Sequence, residues 1–206
     1  MKIYGVARSR STRGLWAAAE ANIDCEFVSL NFRAGEHRQA SFLAINPAGK
    51  VPALVDGDVV LTESGAIVNY IANRYAPDLI PSQMHMRALY DQWSYFCLTE
   101  LEQPLWTIGK HKFALPAEQR IAEIFPTAQW EFQQALKLLS EGLGNSSFIL
   151  GESFHMVDVL LAETIEWAIR FKQDIPYDNV KSYLARCQDR IGYKTMLEKE
   201  ERTLNV

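Results

Sequence analysis

The first 76 positions alternate between strand-like and helix-like patterns of apolar residues. Short apolar runs between polar turns predict strands, whereas apolar residues that recur every three or four positions predict helices. Asp56-Gly57 lies between two apolar runs, which is a strong local signal for a β-hairpin. The predicted elements are strands at 3–6 and 25–30, a hairpin at 52–61, and helices at 11–22, 40–45 and 63–75. This order predicts a small mixed α/β layer.

The rest of the chain shows helical spacing alone. Pro77 and Pro81 interrupt the pattern and predict a linker over 77–83, because proline cannot continue a helix. Beyond the linker, helices are predicted at 84–111, 117–143, 156–171 and 180–199. We therefore expect two domains, a mixed α/β domain over 1–76 and an all-helical bundle over 84–206.

Composition and charge narrow the classes of function. Of the 206 residues, 48% are hydrophobic and 22% are charged, which is typical of a globular protein with a substantial core. The net charge of −4 disfavours nucleic-acid binding, which needs a strongly basic face. The apolar runs are too short to span a membrane, and the first residues do not resemble a secretory leader. We therefore expect a cytoplasmic protein that binds neither nucleic acid nor membrane.

The cysteines and histidines indicate neither a disulfide framework nor a metal centre. Cys25, Cys97 and Cys187 are odd in number and far apart, which is typical of reduced thiols in a cytosolic protein. The four histidines lack the spacing of metal ligands, and the chain contains no Cys-x-x-Cys pair. We expect neither a metal nor a bound cofactor.

A first candidate binding segment is Lys50-Val51-Pro52-Ala53-Leu54. A cis Val51–Pro52 bond would turn the backbone of Val51 outward, where its N–H and C=O groups can pair with an extended peptide. The alternative is an ordinary trans proline that opens an edge strand, which is the commoner arrangement for an isolated proline.

A second candidate segment is Thr62-Glu63-Ser64, which follows a predicted strand and opens a helix. The free N–H groups at a helix N-terminus, together with the Ser64 hydroxyl, suit a carboxylate, and Glu63 suits an ammonium group. Such a pair fits the α-amino acid end of a ligand. The alternative is helix capping by Thr62 or Ser64.

A third candidate segment is Arg8-Ser9-Arg10-Ser11-Thr12-Arg13, between the first strand and the first helix. Hydroxyl groups at a helix N-terminus among three arginines form an electropositive surface rich in hydrogen-bond donors, which favours a thiolate over a thiol. The alternative is a solvated basic loop with a capping serine.

Longer motifs contain all three segments. They are Ser9 through Glu20 after a Lys-Ile-Tyr-Gly strand, Asn46-Pro47-x-Gly49-Lys50-Val51-Pro52-Ala53-Leu54-Val55-Asp56-Gly57, and Leu61-Thr62-Glu63-Ser64-x-Ala66-Ile67. Together they resemble a cytosolic glutathione transferase of the serine type, with theta- and phi-like features. The resemblance is specific over 1–76 and generic beyond. It implies a thioredoxin-like N-terminal domain, an all-α C-terminal domain and a homodimer.

The resemblance also implies an activity and its residues. Glutathione would be the co-substrate, activated as a thiolate and conjugated to a small apolar electrophile, with peroxidase activity as a further option. Ser9 matches the hydroxyl that hydrogen-bonds the glutathione sulfur, and Ser11 is the reserve because the loop register is open. The other matches are Val51 and cis Pro52 for the cysteinyl backbone, Glu63 and Ser64 for the γ-glutamyl group, and His37, Arg38 and Lys50 for the glycine carboxylate.

The helical half carries weaker signals. Aromatic residues in and just after the predicted helix 84–111 are candidate walls for the electrophile site, and we name Trp106, although bundle core is the commoner role. His155 replaces the Ser or Thr that often caps a helix in this family, while Asp158 can still accept a backbone N–H there.

Two other functions fit the same fold. A thiol-disulfide oxidoreductase would need a cysteine in the 9–12 loop, and none of the three cysteines lies there. A non-catalytic protein that binds glutathione or a partner is the open alternative, because the sequence does not exclude it.

Overall fold

The computed structural model describes residues 1–204, which form two compact units. The first unit contains Met1–Ile80 and the C-terminal stretch from Cys187, and the second contains Pro81–Arg186. The predicted helical domain over 84–206 thus differs from the observed second unit at its C-terminal end. The last two positions of that predicted range lie outside the described residues.

The first unit is built around a four-stranded sheet of β1 (Lys2–Gly5), β2 (Glu26–Ser29), β3 (Ala53–Asp56) and β4 (Val59–Thr62), in the strand order β2-β1-β3-β4. Strands β1 and β2 are parallel, whereas β1–β3 and β3–β4 are antiparallel. The element order matches the order predicted from the sequence. The helices of this unit are α1 (Ser11–Glu20), α2 (Ala40–Leu43), α3 (Ser64–Tyr75) and α9 (Ile191–Leu204).

The core of the first unit lies between the sheet and helices α1 and α3. Ile3 of β1 pairs with Leu54 of β3, and both side chains are fully buried, as is Ile67 of α3. Full burial of each such side chain contributes about 1.5–3 kcal/mol to folding. Gly14 lets α1 approach closely, because a Cβ there would lie 3.2 Å from Ile67 Cγ2. Glycine weakens a helix, but at this position its missing side chain is what allows α1 to contact Ile67.

Helix α9 packs against α1, which explains why the end of the chain belongs to the first unit. The Arg190 guanidinium donates two hydrogen bonds to the Glu20 carboxylate, at 2.9 and 2.7 Å. The rings of Trp16 and Tyr193 meet edge to face with centroids 4.9 Å apart. A bidentate pair fixes orientation as well as distance, so it sets the position of α9 along α1.

The second unit is helical. Its central helix is α7, in which twelve of fifteen residues are buried, as expected of a helix surrounded by others. Within residues 1–204, every helix is too short or too polar to cross a lipid bilayer. The helices of this unit are α4 (Met84–Phe96), α5 (Glu102–Gly109), α6 (Phe125–Leu143), α7 (Met156–Arg170) and α8 (Asp178–Gln188), whose last two residues fall in the first unit.

Prolines explain two differences from the predicted helices. The predicted helix 84–111 is interrupted by a π-helical turn at Cys97–Leu101. Pro104 follows that turn, and its ring would clash with the carbonyl four residues earlier in a regular α-helix, which the wider turn relieves. Likewise, α6 begins at Phe125 rather than at 117, with Pro126 in its first turn, because proline has no N–H to donate and is tolerated in a first turn but not inside a helix.

The predicted helix 180–199 is two helices in the structure. Helix α8 ends at Gln188, and α9 begins at Ile191. The backbone N–H of Arg190 donates to the Cys187 carbonyl in a tight turn, and its guanidinium binds Glu20 of α1. Tertiary packing against α1 therefore breaks a helical pattern that local spacing alone would continue.

Asp158 organises the start of α7, as the sequence predicts. Its carboxylate accepts the backbone N–H of His155 at 2.8 Å and that of Ile149 at 3.2 Å. It also accepts the Tyr183 hydroxyl of α8 at 2.8 Å, and the side chain is fully buried. One carboxylate thus joins the start of α7, the preceding loop and α8.

Replacing Asp158 with alanine leaves two buried donors and one part-buried donor without this acceptor. We expect Asp158→Ala to lower the free energy of unfolding by about 3 kcal/mol, measured by urea denaturation. Asp178→Ala is the matched control, because Asp178 is exposed in the first turn of α8 and its removal should cost less than about 1 kcal/mol. Equal losses in the two variants would contradict this role of Asp158.

Candidate functional site

Three loop segments leave the sheet at the same end. Tyr4, near the C-terminal end of β1, pairs with Ala53 at the start of β3, and Ala53 pairs with Thr62 at the end of β4. The segments after β1, before β3 and after β4 are therefore neighbours. They contain the residues for which the sequence predicts ligand contacts.

Ser9 lies in the loop between β1 and α1, two residues before the helix begins. Its side chain is half-buried, and its Oγ lies 2.6 Å from the Val6 carbonyl oxygen and 3.0 Å from Ser11 Oγ. The backbone N–H of Ser11 donates to Ser9 Oγ at 3.1 Å. Since a hydroxyl has one hydrogen, Ser9 donates to one acceptor at a time, and the Ser11 N–H polarises its oxygen.

Ser11, the reserve candidate, is fully buried. Its Oγ accepts the backbone N–H of Val6 at 3.3 Å and contacts Ser9 Oγ. A fully buried hydroxyl does not reach a ligand at the surface, so the structure favours Ser9 over Ser11. Ser11 supports the loop from the first turn of α1, in which Thr12 is also buried.

Arg8 in this loop and Arg13 in the first turn of α1 have different environments, which the sequence does not indicate. Arg8 is exposed and adopts the left-handed conformation with φ of 58°, which costs a residue with a Cβ about 1–2 kcal/mol. Arg13 is fully buried, and its Nη1 donates to Ser64 Oγ at 3.0 Å. This hydrogen bond joins the first turn of α1 to the first residue of α3.

Glu63 and Ser64 form the start of α3, as predicted. Glu63 precedes the helix with φ of 67°, an unusual value for a residue other than glycine, and its side chain is exposed. Ser64 is buried, and because its Oγ accepts from Arg13, its own hydrogen is left to donate elsewhere. Strained backbone of this kind is common at ligand sites.

The turn before β3 is organised by Asn46 and Gly49. The side-chain amide of Asn46 donates to the Lys50 carbonyl at 2.7 Å, and its oxygen accepts the Ala48 N–H at 3.1 Å. Gly49 has φ of +62°, and a Cβ there would lie 2.9 Å from the His37 carbonyl oxygen. Only glycine fits this backbone, and Lys50 follows it with an exposed side chain.

The Val51–Pro52 peptide bond is cis, the less common of the two arrangements considered from the sequence. Pro52 is buried, and Val51 is half-buried immediately before β3. Val51 therefore stands at the sheet end where the Ser9 loop and the start of α3 also lie.

His37 and Arg38 belong to a 3-10 turn at Glu36–Arg38. The His37 ring stacks on Phe32 with centroids 4.1 Å apart, and its Nδ1 is buried with no hydrogen-bond partner among residues 1–204. Arg38 Nη1 would lie 3.1 Å from a Cβ on Gly49, so this turn adjoins the one that carries Lys50. The three predicted glycine-site residues therefore come from two touching turns.

The site includes one residue that sequence reasoning missed. Glu200 of α9 is buried, and its Oε1 accepts the backbone N–H of Arg8 at 3.1 Å and the Thr12 hydroxyl. Glu200 is separated from this loop by almost the whole chain, and no local motif marks it. The predicted electropositive loop thus has a carboxylate beside it.

Trp106, the predicted wall of the electrophile site, lies half-buried on α5 in the second unit. Its ring is near Gly109, one turn further along the helix. Trp93, another aromatic candidate, packs so tightly on α6 that a Cβ on Gly142 would overlap its ring, which fits the bundle-core alternative. The role of Trp106 stays a prediction.

The described part of the chain supports neither a catalytic cysteine nor a metal cluster. Cys25, Cys97 and Cys187 are all buried and unpaired by disulfides. Burial raises the pKa of the Cys25 thiol, although Lys199 opposes this effect. Among residues 1–204, no three histidine, cysteine, aspartate or glutamate side chains cluster as metal ligands would.

Comparisons with known proteins agree with this geometry. Residues 1–73 match the family model described as the N-terminal domain of glutathione S-transferase. The chain is 32% identical over 195 residues to glutathione S-transferase Z1 of Arabidopsis thaliana, covering 92% of this chain and 86% of that protein.

Solved structures show the same fold over nearly the whole chain. A delta-class glutathione transferase from Nilaparvata lugens is 27% identical, with a TM-score of 0.85 over 98% of this chain and 95% of its own. A theta-class glutathione S-transferase from Xanthomonas axonopodis pv. citri, with glutathione bound, is 27% identical, with a TM-score of 0.81 over 94% of both chains. The predicted fold, a thioredoxin-like α/β domain followed by a helical domain, is confirmed. The identity to Z1 across nearly the full chain shows that this chain belongs to the glutathione S-transferase family.

Proposed function

We propose that this chain conjugates glutathione to small apolar electrophiles and that Ser9 donates the hydrogen bond that stabilises the glutathione thiolate. The proposal rests on one observation: the Ser9 hydroxyl is half-exposed at the sheet end where Val51 and Ser64 also lie. Membership in the glutathione S-transferase family supports the reaction class.

This site can supply the free energy that is needed to activate the thiol. A free cysteine thiol has a pKa of about 8.5, and lowering it by about two units takes about 2.7 kcal/mol of preferential binding to the anion. A charge-assisted hydrogen bond contributes about 1.5–3 kcal/mol, and the N-terminus of α1 adds about 0.3–1 kcal/mol.

The Ser9 hydroxyl lies 2.6 Å from the Val6 carbonyl oxygen. Donation to sulfur replaces that neutral bond, worth about 0.5–1.5 kcal/mol, so the net gain is smaller than the gross value. The helix N-terminus is therefore needed as well as Ser9. The thiol proton leaves to solvent, and a sulfur lone pair forms the bond to the electrophilic carbon. With chlorodinitrobenzene as the electrophile, the C–Cl bond breaks and its electron pair leaves with chloride.

The rest of glutathione fits the surrounding segments. The Val51 backbone pairs with the cysteinyl main chain, beside the cis Pro52. Ser64 and the N-terminus of α3 bind the γ-glutamyl carboxylate, and Glu63 binds its ammonium group. The glycine carboxylate meets the side chains of the two touching turns, namely His37, Arg38 and Lys50.

Three further features are part of the proposal. Trp106 contributes to the electrophile site, the chain forms a homodimer, and it works in the reducing cytoplasm without a bound cofactor. The reduced and buried state of Cys25, Cys97 and Cys187 supports a reducing compartment. It also argues against a thiol-disulfide oxidoreductase, because that chemistry needs an accessible thiolate.

Removing the Ser9 hydroxyl tests its role directly. We expect Ser9→Ala to lower kcat/KM for chlorodinitrobenzene about 10- to 100-fold, the value of one charge-assisted hydrogen bond. The pKa of the thiol in the glutathione complex should rise by about one to two units, read from thiolate absorbance against pH. Binding of glutathione itself should change little.

Unchanged turnover in Ser9→Ala would remove Ser9 from the mechanism. Retention of the unmodified chain on immobilised glutathione, without turnover on conjugation or peroxide substrates, would instead favour the non-catalytic binding protein.

Gly49 provides a test of the glycine-carboxylate site with a matched control. Gly49 and Gly57 have nearly the same φ, +62° and +61°, but a Cβ on Gly57 meets nothing within 4 Å. Alanine should therefore strain both turns equally, while only Gly49→Ala pushes on the His37 carbonyl and the Arg38 guanidinium. We expect the Kd for glutathione, measured by calorimetry, to rise about 10- to 100-fold in Gly49→Ala and to stay near wild type in Gly57→Ala. Equal affinity in the two variants would place glutathione away from these turns.

A further inference from the structure

Glu200 connects the last helix of the chain to the loop that carries Ser9. Its side chain is 3% exposed, and one oxygen, Oε1, accepts both the Arg8 backbone N–H at 3.1 Å and the Thr12 hydroxyl at 2.5 Å. A buried carboxylate is costly unless such donors surround it, so its presence here needs a reason.

The two donors flank Ser9. Arg8 immediately precedes it, and Thr12 lies three residues after it, where the Thr12 N–H also donates to the Ser9 carbonyl at 3.0 Å. Both ends of this short loop are therefore bound to a single oxygen atom. Arg8 adopts the unfavourable left-handed conformation, which persists only where neighbouring contacts hold it.

Helix α9 gives Glu200 a fixed position. The Arg190–Glu20 pair and the contact between Trp16 and Tyr193 attach the start of α9 to α1. Near its other end, Lys199 Nζ donates to Asp24 at 2.8 Å. These contacts all lie within the first unit, so Glu200 and the Ser9 loop belong to one packed body.

We propose that Glu200 is a positioning residue for Ser9, holding the Arg8–Thr12 loop so that the Ser9 hydroxyl meets the glutathione sulfur. This inference rests on the proposed function of Ser9. Glu200 acts as an acceptor, whereas its negative charge opposes the thiolate. The two effects have opposite signs and can be separated by substitution.

The first comparison is between Glu200→Ala and Glu200→Gln. Alanine removes the acceptor, so kcat should fall about 10-fold and the midpoint of the pH profile of kcat/KM should rise. Glutamine keeps Oε1 and removes the charge, so kcat should stay within about 2-fold of wild type and the midpoint should not rise. Glu201→Ala, an exposed neighbour on the same helix, is the control for a general effect on α9.

The second comparison isolates the loop. Thr12→Val removes one donor to Glu200 with little change in size, and kcat should fall about 3-fold. If both residues act through one hydrogen bond, Thr12→Val combined with Glu200→Ala should resemble Glu200→Ala alone, within about 2-fold. Circular dichroism and a thermal melt verify that each variant is folded at the assay temperature.

The third comparison separates this inference from the proposed function. In a Ser9→Ala background, Glu200→Ala should have no further effect on kcat, because the residue acts through Ser9. Wild-type turnover in Ser9→Ala alone would contradict the proposed role of Ser9, independently of the results for Glu200. Wild-type kinetics in folded Glu200→Ala, an equal rise of the pH midpoint in Glu200→Gln, or additive losses with Thr12→Val or Ser9→Ala would overturn the inference.

Discussion

The hydrogen bond from Arg13 to Ser64 is the constraint on which the site depends. It joins the first turns of α1 and α3 through a fully buried guanidinium, so the two helix N-termini stay side by side. The N-termini supply the positive ends of two helix dipoles. In the proposed function, one positive end serves the glutathione thiolate and the other serves the γ-glutamyl carboxylate. Gly14 makes the arrangement feasible, because it lets α1 approach Ile67 of α3.

Helix α9, near the C-terminus, packs against elements from the start of the chain. Helix α9 returns to α1 and buries the Glu200 carboxylate beneath the loop that carries Ser9. The loop that carries Ser9 is thereby held by a residue outside the three predicted ligand-binding segments. The chain is therefore not divided simply into an N-terminal part for glutathione and a remainder for the second substrate.

The sequence predicts the parts of this molecule whose causes are local. The Asp56-Gly57 hairpin, the strand and helix order of the first unit, and the role of Asp158 follow from neighbouring residues and agree with the structure. Helix ends that are set by distant contacts do not follow from neighbouring residues. The break between α8 and α9 depends on Arg190 reaching Glu20, and no spacing rule contains that contact.

The same distinction holds for the site. Ser64 and Glu63 are recognisable because they open a helix after a strand, and Val51 because it precedes a proline. The preference for Ser9 over Ser11 in the proposal rests on burial, which the loop sequence does not give. Glu200 has no local signal at all, since its partners Arg8 and Thr12 lie at the opposite end of the chain.

A crystal structure with glutathione bound tests the central claim most directly. The account predicts the sulfur within hydrogen-bonding distance of Ser9 Oγ, the cysteinyl main chain paired with Val51, and the γ-glutamyl carboxylate at Ser64 with the Arg13 contact intact. Glutathione bound with its sulfur away from Ser9, or its γ-glutamyl end away from the start of α3, would contradict it.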